Sequence, residues 1–107
     1  MSIGERVESR GSSIHGRGLF AIRRFREGAY IATFEGTPTE RDGTHVLWVL
    51  DDDGNEAGIR GRNSLRFLNH SSQPNAEFRG ADLHAVRNIQ SGAEITFHYG
   101  DAWEDIE

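Results

Sequence analysis

The residues best equipped for chemistry form one run: Asn69, His70, Ser71, Ser72, Gln73, Pro74 and Asn75. It offers amides, an imidazole and hydroxyls, and it holds no carboxylate. Asn and Ser side chains compete with the backbone for hydrogen bonds, so the run makes poor core and poor regular helix. Pro74 biases Gln73 toward an extended backbone. Leu65, Phe67 and Leu68 stand just before it and supply an apolar anchor. An anchored, rigid polar loop of this kind either caps a turn or holds a ligand. On these residues alone both readings stay open.

Gly16, Gly18 and Ala21 have the spacing of a dinucleotide fingerprint. That fingerprint needs a strand before it and a full helix after it. Too few residues separate Leu19 from Gly28 for such a helix, and Leu19, Phe20, Ile22 and Phe25 make no long amphipathic stripe. The dinucleotide reading fails. A glycine-rich hairpin turn is the plain alternative. Glycines there would also let backbone groups approach a ligand with no Cβ in the way. Asp51, Asp53, Asn55 and Glu56 resemble a calcium loop only loosely, because Gly54 falls at the fourth position and not the sixth. A hairpin turn accounts for them better. His15, His45, His84 and His98 lack metal-ligand spacing, so no metal site is expected.

Short elements must position these groups. Strands are predicted over 6–10, 29–35, 45–50, 57–59, 76–79, 83–86 and 95–99, rich in β-branched and aromatic residues and separated by turn signals. Residues 11–13 read as a turn. Residues 36–43, with Pro38 and several charges, read as a loop holding at most one helical turn. Residues 61–68 are too short for a stable isolated helix, and a single turn presenting Leu65 and Leu68 to the core suffices. Residues 80–82 and 88–93 are turns, and 101–107 form a short acidic tail containing Trp103. Many short strands and no long helix predict a mainly β fold.

At 107 residues the chain is read as one domain, 1–107. Such a chain buries only about two-thirds of its unfolded surface, so the core is modest. Hydrophobic residues make up 36%, yet they cluster in runs, which favours a folded domain over disorder. The formal net charge is −5, which argues against a nucleic-acid groove and suits a basic peptide partner. With no cysteine there are no disulfides and no thiolate metal sites. No run approaches a membrane span and no signal-peptide core is visible, so a cytoplasmic location is the default expectation.

Three stretches in order resemble the SET-domain protein lysine methyltransferases. Gly16-Arg17-Gly18-Leu19-Phe20-Ala21 looks like the family's first motif. Asn63, then Arg66-Phe67-Leu68-Asn69-His70-Ser71 with Pro74-Asn75, resembles its Asn-His-Ser signature over 63–75. Glu94-Ile95-Thr96-Phe97-His98-Tyr99-Gly100 looks like its last motif, and Gly92 matches too. The resemblance implies a β-clip-like SET fold of small curved sheets with short helical turns and a C-terminal pseudoknot. It implies S-adenosyl-L-methionine as cofactor and a lysine-bearing protein or peptide as substrate. If the source is eukaryotic, it also implies a nuclear or chromatin-associated setting.

The same resemblance assigns roles. Arg17, Gly18, Leu19, Arg66, Phe67, Asn69, His70 and Tyr99 fall at cofactor contacts, and Tyr99 at the active-site tyrosine. Its hydroxyl, with an ordinary pKa of about 10, is expected to orient the lysine nitrogen and not to rest as a base. Phe78, Phe97 and Trp103 are expected along the substrate channel. Phe97 stands where the family alternates Phe and Tyr, and Phe implies di- or trimethylation. Plain packing is the competing role for each aromatic. Two departures stand out: His98 replaces an acidic residue common before the tyrosine, and the usual channel lid is missing from a cysteine-free chain. Trp103 or a second subunit in a homodimer could supply the wall. A catalytically inactive SET-fold binding module is the alternative to an enzyme.

Overall fold

A computed structural model describes residues 6–14, 16–41, 45–50 and 53–98. Among these residues the chain forms ten strands and a 3₁₀ turn. The strands are β1 (Val7–Gly11), β2 (Arg17–Ala21), β3 (Tyr30–Thr33), β4 (Gly36–Thr39) and β5 (Val46–Leu50), followed by β6 (Glu56–Gly61), β7 (Asn69–His70), β8 (Ala76–Arg79), β9 (Asp82–Ala85) and β10 (Glu94–Phe97). The 3₁₀ turn, Ser64–Phe67, buries Leu65, and Leu68 follows it into the core, as the apolar spacing predicts.

The strands make three small sheets in the orders β1-β2-β10-β7, β3-β9-β8 and β4-β6-β5. Hairpins account for β1–β2, β5–β6 and β8–β9. In the last, Gly80 takes φ 62°, a left-handed conformation that glycine adopts without steric cost. The placement of β10 is different in kind. It pairs antiparallel with β2 (Ile95↔Leu19) and parallel with β7 (Thr96↔Asn69, Phe97↔His70). A parallel pair cannot be closed by a tight turn, and here the whole β8–β9 hairpin intervenes. The polar loop then clasps the strand. Asn75 Nδ2 donates to the Glu94 carbonyl at 2.9 Å, the Thr96 N–H donates to Asn75 Oδ1 at 2.9 Å, and the Ser71 N–H donates to the Phe97 carbonyl at 3.0 Å. Loop and strand are thereby locked together.

The sequence reading of 36–43 as a loop is corrected at its first half. Gly36–Thr39 is the edge strand of the third sheet, pairing with β6 through Pro38↔Ile59. Proline is tolerated at a sheet edge, where a missing N–H costs least, so Pro38 masked the strand without forbidding it. Residues 42–44 lie outside the described residues.

The core is shared among the sheets. Leu19, Ile31, Leu65, Leu83, Ile89, Ile95 and Val7 are fully enclosed. Ile95 sits on β10 between β2 and β7, so it joins the four-stranded sheet to the core. Among the described residues no helix is long and apolar enough to cross a membrane. Ile95→Ala removes buried methyl and methylene groups and leaves a cavity, and a loss of about 2–5 kcal/mol is expected. Urea denaturation followed by circular dichroism measures it, with exposed Glu56→Ala expected to change stability by under about 0.5 kcal/mol.

Candidate active site

The first, second and third motifs meet at one carboxylate. Glu94, at the head of β10, is half-buried. The Ser12 hydroxyl lies 2.7 and 2.9 Å from its two oxygens and serves as donor. Asn69 Nδ2 donates to Glu94 Oε2 at 2.8 Å and to the Arg17 carbonyl at 3.1 Å, with Ser12 Oγ at 3.2 Å. The Ile14 N–H donates to Ser12 Oγ at 3.0 Å. A carboxylate drawn out of water is costly unless hydrogen-bonded, and donors from the 12–14 turn and β7 meet that need. Asn69 is buried, at 7% exposure, and its amide hydrogens are engaged within the protein.

Gly18 has a physical reason here beyond ligand access. A Cβ at this position would run into the Glu94 carboxylate, with its Cδ at 2.8 Å and Ser12 Cβ at 3.0 Å. The carboxylate fills the space a side chain would take. Sequence reasoning placed Glu94 in the last motif but missed Ser12 and the contact between the two. Ser12 stood in what reads as an ordinary turn, and its partner is 82 positions away. The only signal was a carboxylate opening a strand of β-branched and aromatic residues.

A second cluster flanks this knot. The Arg66 guanidinium lies 4.3 Å from the Phe67 ring centroid and that of Arg17 lies 5.7 Å away. The His45 ring meets Phe67 edge-on at 6.0 Å. Arg66 Nη1 donates to the carbonyls of Arg62 (2.9 Å) and Asn63 (2.8 Å), and Arg17 Nη2 donates to Ser9 Oγ at 2.9 Å and its carbonyl at 3.1 Å. Leu19 is fully buried, so only its main chain could face a ligand.

A cleft of about 570 Å³ adjoins β10. Phe78 and Phe97 line it and touch edge to face, with centroids 5.2 Å apart. Phe34 buttresses Phe78 at 6.0 Å. Leu47 and Trp48 of β5 line it too, and the Trp48 ring lies over Gly58, where an added Cβ would come within 3.1 Å of it. His98 lines the cleft as well, and its ring sits 4.7 Å from that of His70. The Asn-His pair and the cleft are therefore linked through two imidazoles. Tyr99 and Trp103 lie outside the described residues.

The SET domain family model matches residues 16–100. This chain belongs to the SET domain family. Among curated relatives, human histone-lysine N-methyltransferase 2B is 32% identical over 88% of this chain and 4% of its own length. The trithorax histone-lysine N-methyltransferase of Drosophila virilis is 29% identical over 88% of this chain and 3% of its own. MEDEA of Arabidopsis thaliana, also a histone-lysine N-methyltransferase, is 29% identical over 82% and 16%. The chain thus spans only a small part of these relatives. The methyltransferase domain of human SETMAR shares the fold at TM-score 0.75 and 18% identity, covering 94% of this chain and 46% of that one. A Plasmodium falciparum chain solved as a candidate histone methyltransferase gives TM-score 0.71 and 19% identity, covering 92% and 96%.

In this SET domain, Gly18→Ala is expected to destabilise by about 1–3 kcal/mol through overpacking. In a Glu94→Ala background the same change should cost at least about 0.5 kcal/mol less, because the obstructing carboxylate is gone. Urea midpoints of the single and double variants measure this coupling.

Proposed function

We propose that this SET domain is an S-adenosyl-L-methionine-dependent protein lysine N-methyltransferase acting on a basic protein segment. The observation that carries the reading is the meeting of Ser12, Arg17, Asn69 and Glu94 at one knot, with an aromatic cleft beside the same strand. The names of the relatives support the same chemistry, and they make a histone-like segment in a chromatin setting the corresponding substrate proposal.

The residues present fit this cofactor. Its amino-acid end carries an ammonium and a carboxylate, and its other end an adenine. Glu94 is a half-buried carboxylate that meets hydrogen-bond donors but no cation among the described residues. Arg17 offers an exposed guanidinium held at Ser9 and 5.7 Å from the Phe67 ring centroid, and Phe67 a ring face. Arg17, Gly18, Leu19, Asn69 and His70 would hold the cofactor chiefly through main-chain groups and oxygen acceptors, with Arg66 and Phe67 alongside. When bound, S-adenosyl-L-methionine supplies a methyl on a positively charged sulfur, which a neutral lysine amine takes by in-line displacement.

Free lysine has a pKa of about 10.4, so the amine must first lose its proton. Phe78 and Phe97 would exclude water around it, and desolvation favours the neutral form. Tyr99 would orient the amine, a contribution that rests on alignment more than on proton transfer. Phe97 has no hydroxyl to hold a water, which leaves room for a second or third methyl. Trp103, or a wall from a second copy of the chain, would close the channel.

Transfer of labelled methyl groups to histones and other lysine-rich proteins tests the proposal. The wild-type chain is expected to label lysine, and Tyr99→Phe to lower the rate at least about a hundredfold. Cofactor affinity, measured by calorimetry, should change by only a few-fold. A chain that binds the cofactor and labels nothing is a binding module, and undiminished transfer by the Tyr99 variant removes that residue from its role.

A further inference from the structure

The cleft that would take the target lysine also carries a charge pattern. Phe78, Phe97, Leu47 and Trp48 supply its apolar lining. Two charged side chains, Glu77 and Arg87, stand among its lining residues, and both are exposed. They are not equivalent. Glu77 is already paired: Arg79 Nε donates to its Oε2 at 3.1 Å along the same strand. The Arg87 side chain has no hydrogen-bond or ion-pair partner among the described residues. Arg87 follows Val86, whose N–H donates to the Asn75 carbonyl at 2.9 Å, so the main chain that carries it is tied to the clasping loop. His98, on the same lining, adds no negative charge. An uncompensated guanidinium on an anchored stretch of main chain therefore borders an apolar slot, in a protein whose overall charge is −5.

We infer that Arg87 is a specificity-determining residue that selects substrates with an acidic side chain close to the target lysine. The inference rests on the lysine methyltransferase reading of the same cleft. Arginine suits the task because its planar fork meets a carboxylate with paired hydrogen bonds. The protein's net negative field acts at longer range and draws in a basic segment. It is screened over roughly 8–10 Å at ordinary salt, whereas pairing in the cleft acts at contact. The two effects thus select on different features of one substrate: a basic segment overall, with one carboxylate near the lysine. A cleft of this volume is on the order of 10 Å across, and an extended peptide advances about 3.3 Å per residue. The carboxylate accordingly falls within about three positions of the lysine.

A peptide series tests this with the full chain. Each peptide holds one lysine in a neutral background, with Asp, Asn or Lys placed in turn at the flanking positions. Methyl transfer (kcat/KM) and binding by fluorescence polarisation are both measured, at low and high salt. Asp at one position within three of the lysine is expected to give about two- to fivefold higher kcat/KM and tighter binding than Asn, the range for a partly exposed ion pair. The advantage should fade in 1 M salt. Arg87→Glu should reverse it, so that Lys outperforms Asp at that position. A flat series, or a wild-type preference for Lys at every position, overturns the inference. Ranked binding without transfer supports the role of Arg87 while overturning the enzyme reading, and no binding of any peptide overturns both.

Discussion

A carboxylate partly withdrawn from water at the junction of distant segments is the constraint on which this structure depends. Glu94 cannot occupy its place unless donors reach it, and they come from Ser12 and Asn69. It cannot fit unless the strand beside it has no side chain at the facing position, which Gly18 satisfies. Each condition is set by a different stretch of sequence. Removing any one leaves a half-buried charge short of partners, a change that costs more than an ordinary hydrogen bond gains. The knot therefore ties the geometry of the first motif to that of the last.

β10 turns this local condition into an arrangement of the whole domain. Successive residues of a strand face opposite sides. Glu94 meets the knot, whereas Ile95 joins the core and Phe97 touches Phe78 at the cleft. One short strand thus acts as a partition, with the polar motif cluster served by one set of positions and the apolar slot by the other. The Asn75 side chain holds that partition in register by accepting from Thr96 and donating to Glu94, so a slip of one residue would break both bonds.

Much of the fold was legible in the sequence because the signals were local. The β8–β9 hairpin followed from two runs of β-formers around Gly80, and the 3₁₀ turn from Leu65 and Leu68 beside a polar run. The polar loop of residues 69–75 was visible as a rigid feature, and its function as a clasp agrees with the amides it carries. β4 was not legible, since Pro38 and polar neighbours are loop signals, and only pairing with β6 makes them a strand. The Ser12–Glu94 contact was out of reach, because no pattern along the chain joins residues so far apart. Trp48 was legible as part of an apolar run. Its place beside Phe78 in the lining of one cleft depends on how two separate sheets are set against one another.

The seat of β10 between β2 and β7 has a consequence for how the protein comes into being. During synthesis β1, β2 and β7 leave the ribosome before the strand that completes their sheet. Until residues 94–97 emerge, β2 and β7 each have an open backbone row, and Leu19 lacks Ile95 as its neighbour. Folding cannot reach its end state by growing outward from the N-terminus; it has to wait for a late insertion. Such non-local pairing is slow and leaves transient edges exposed to other chains.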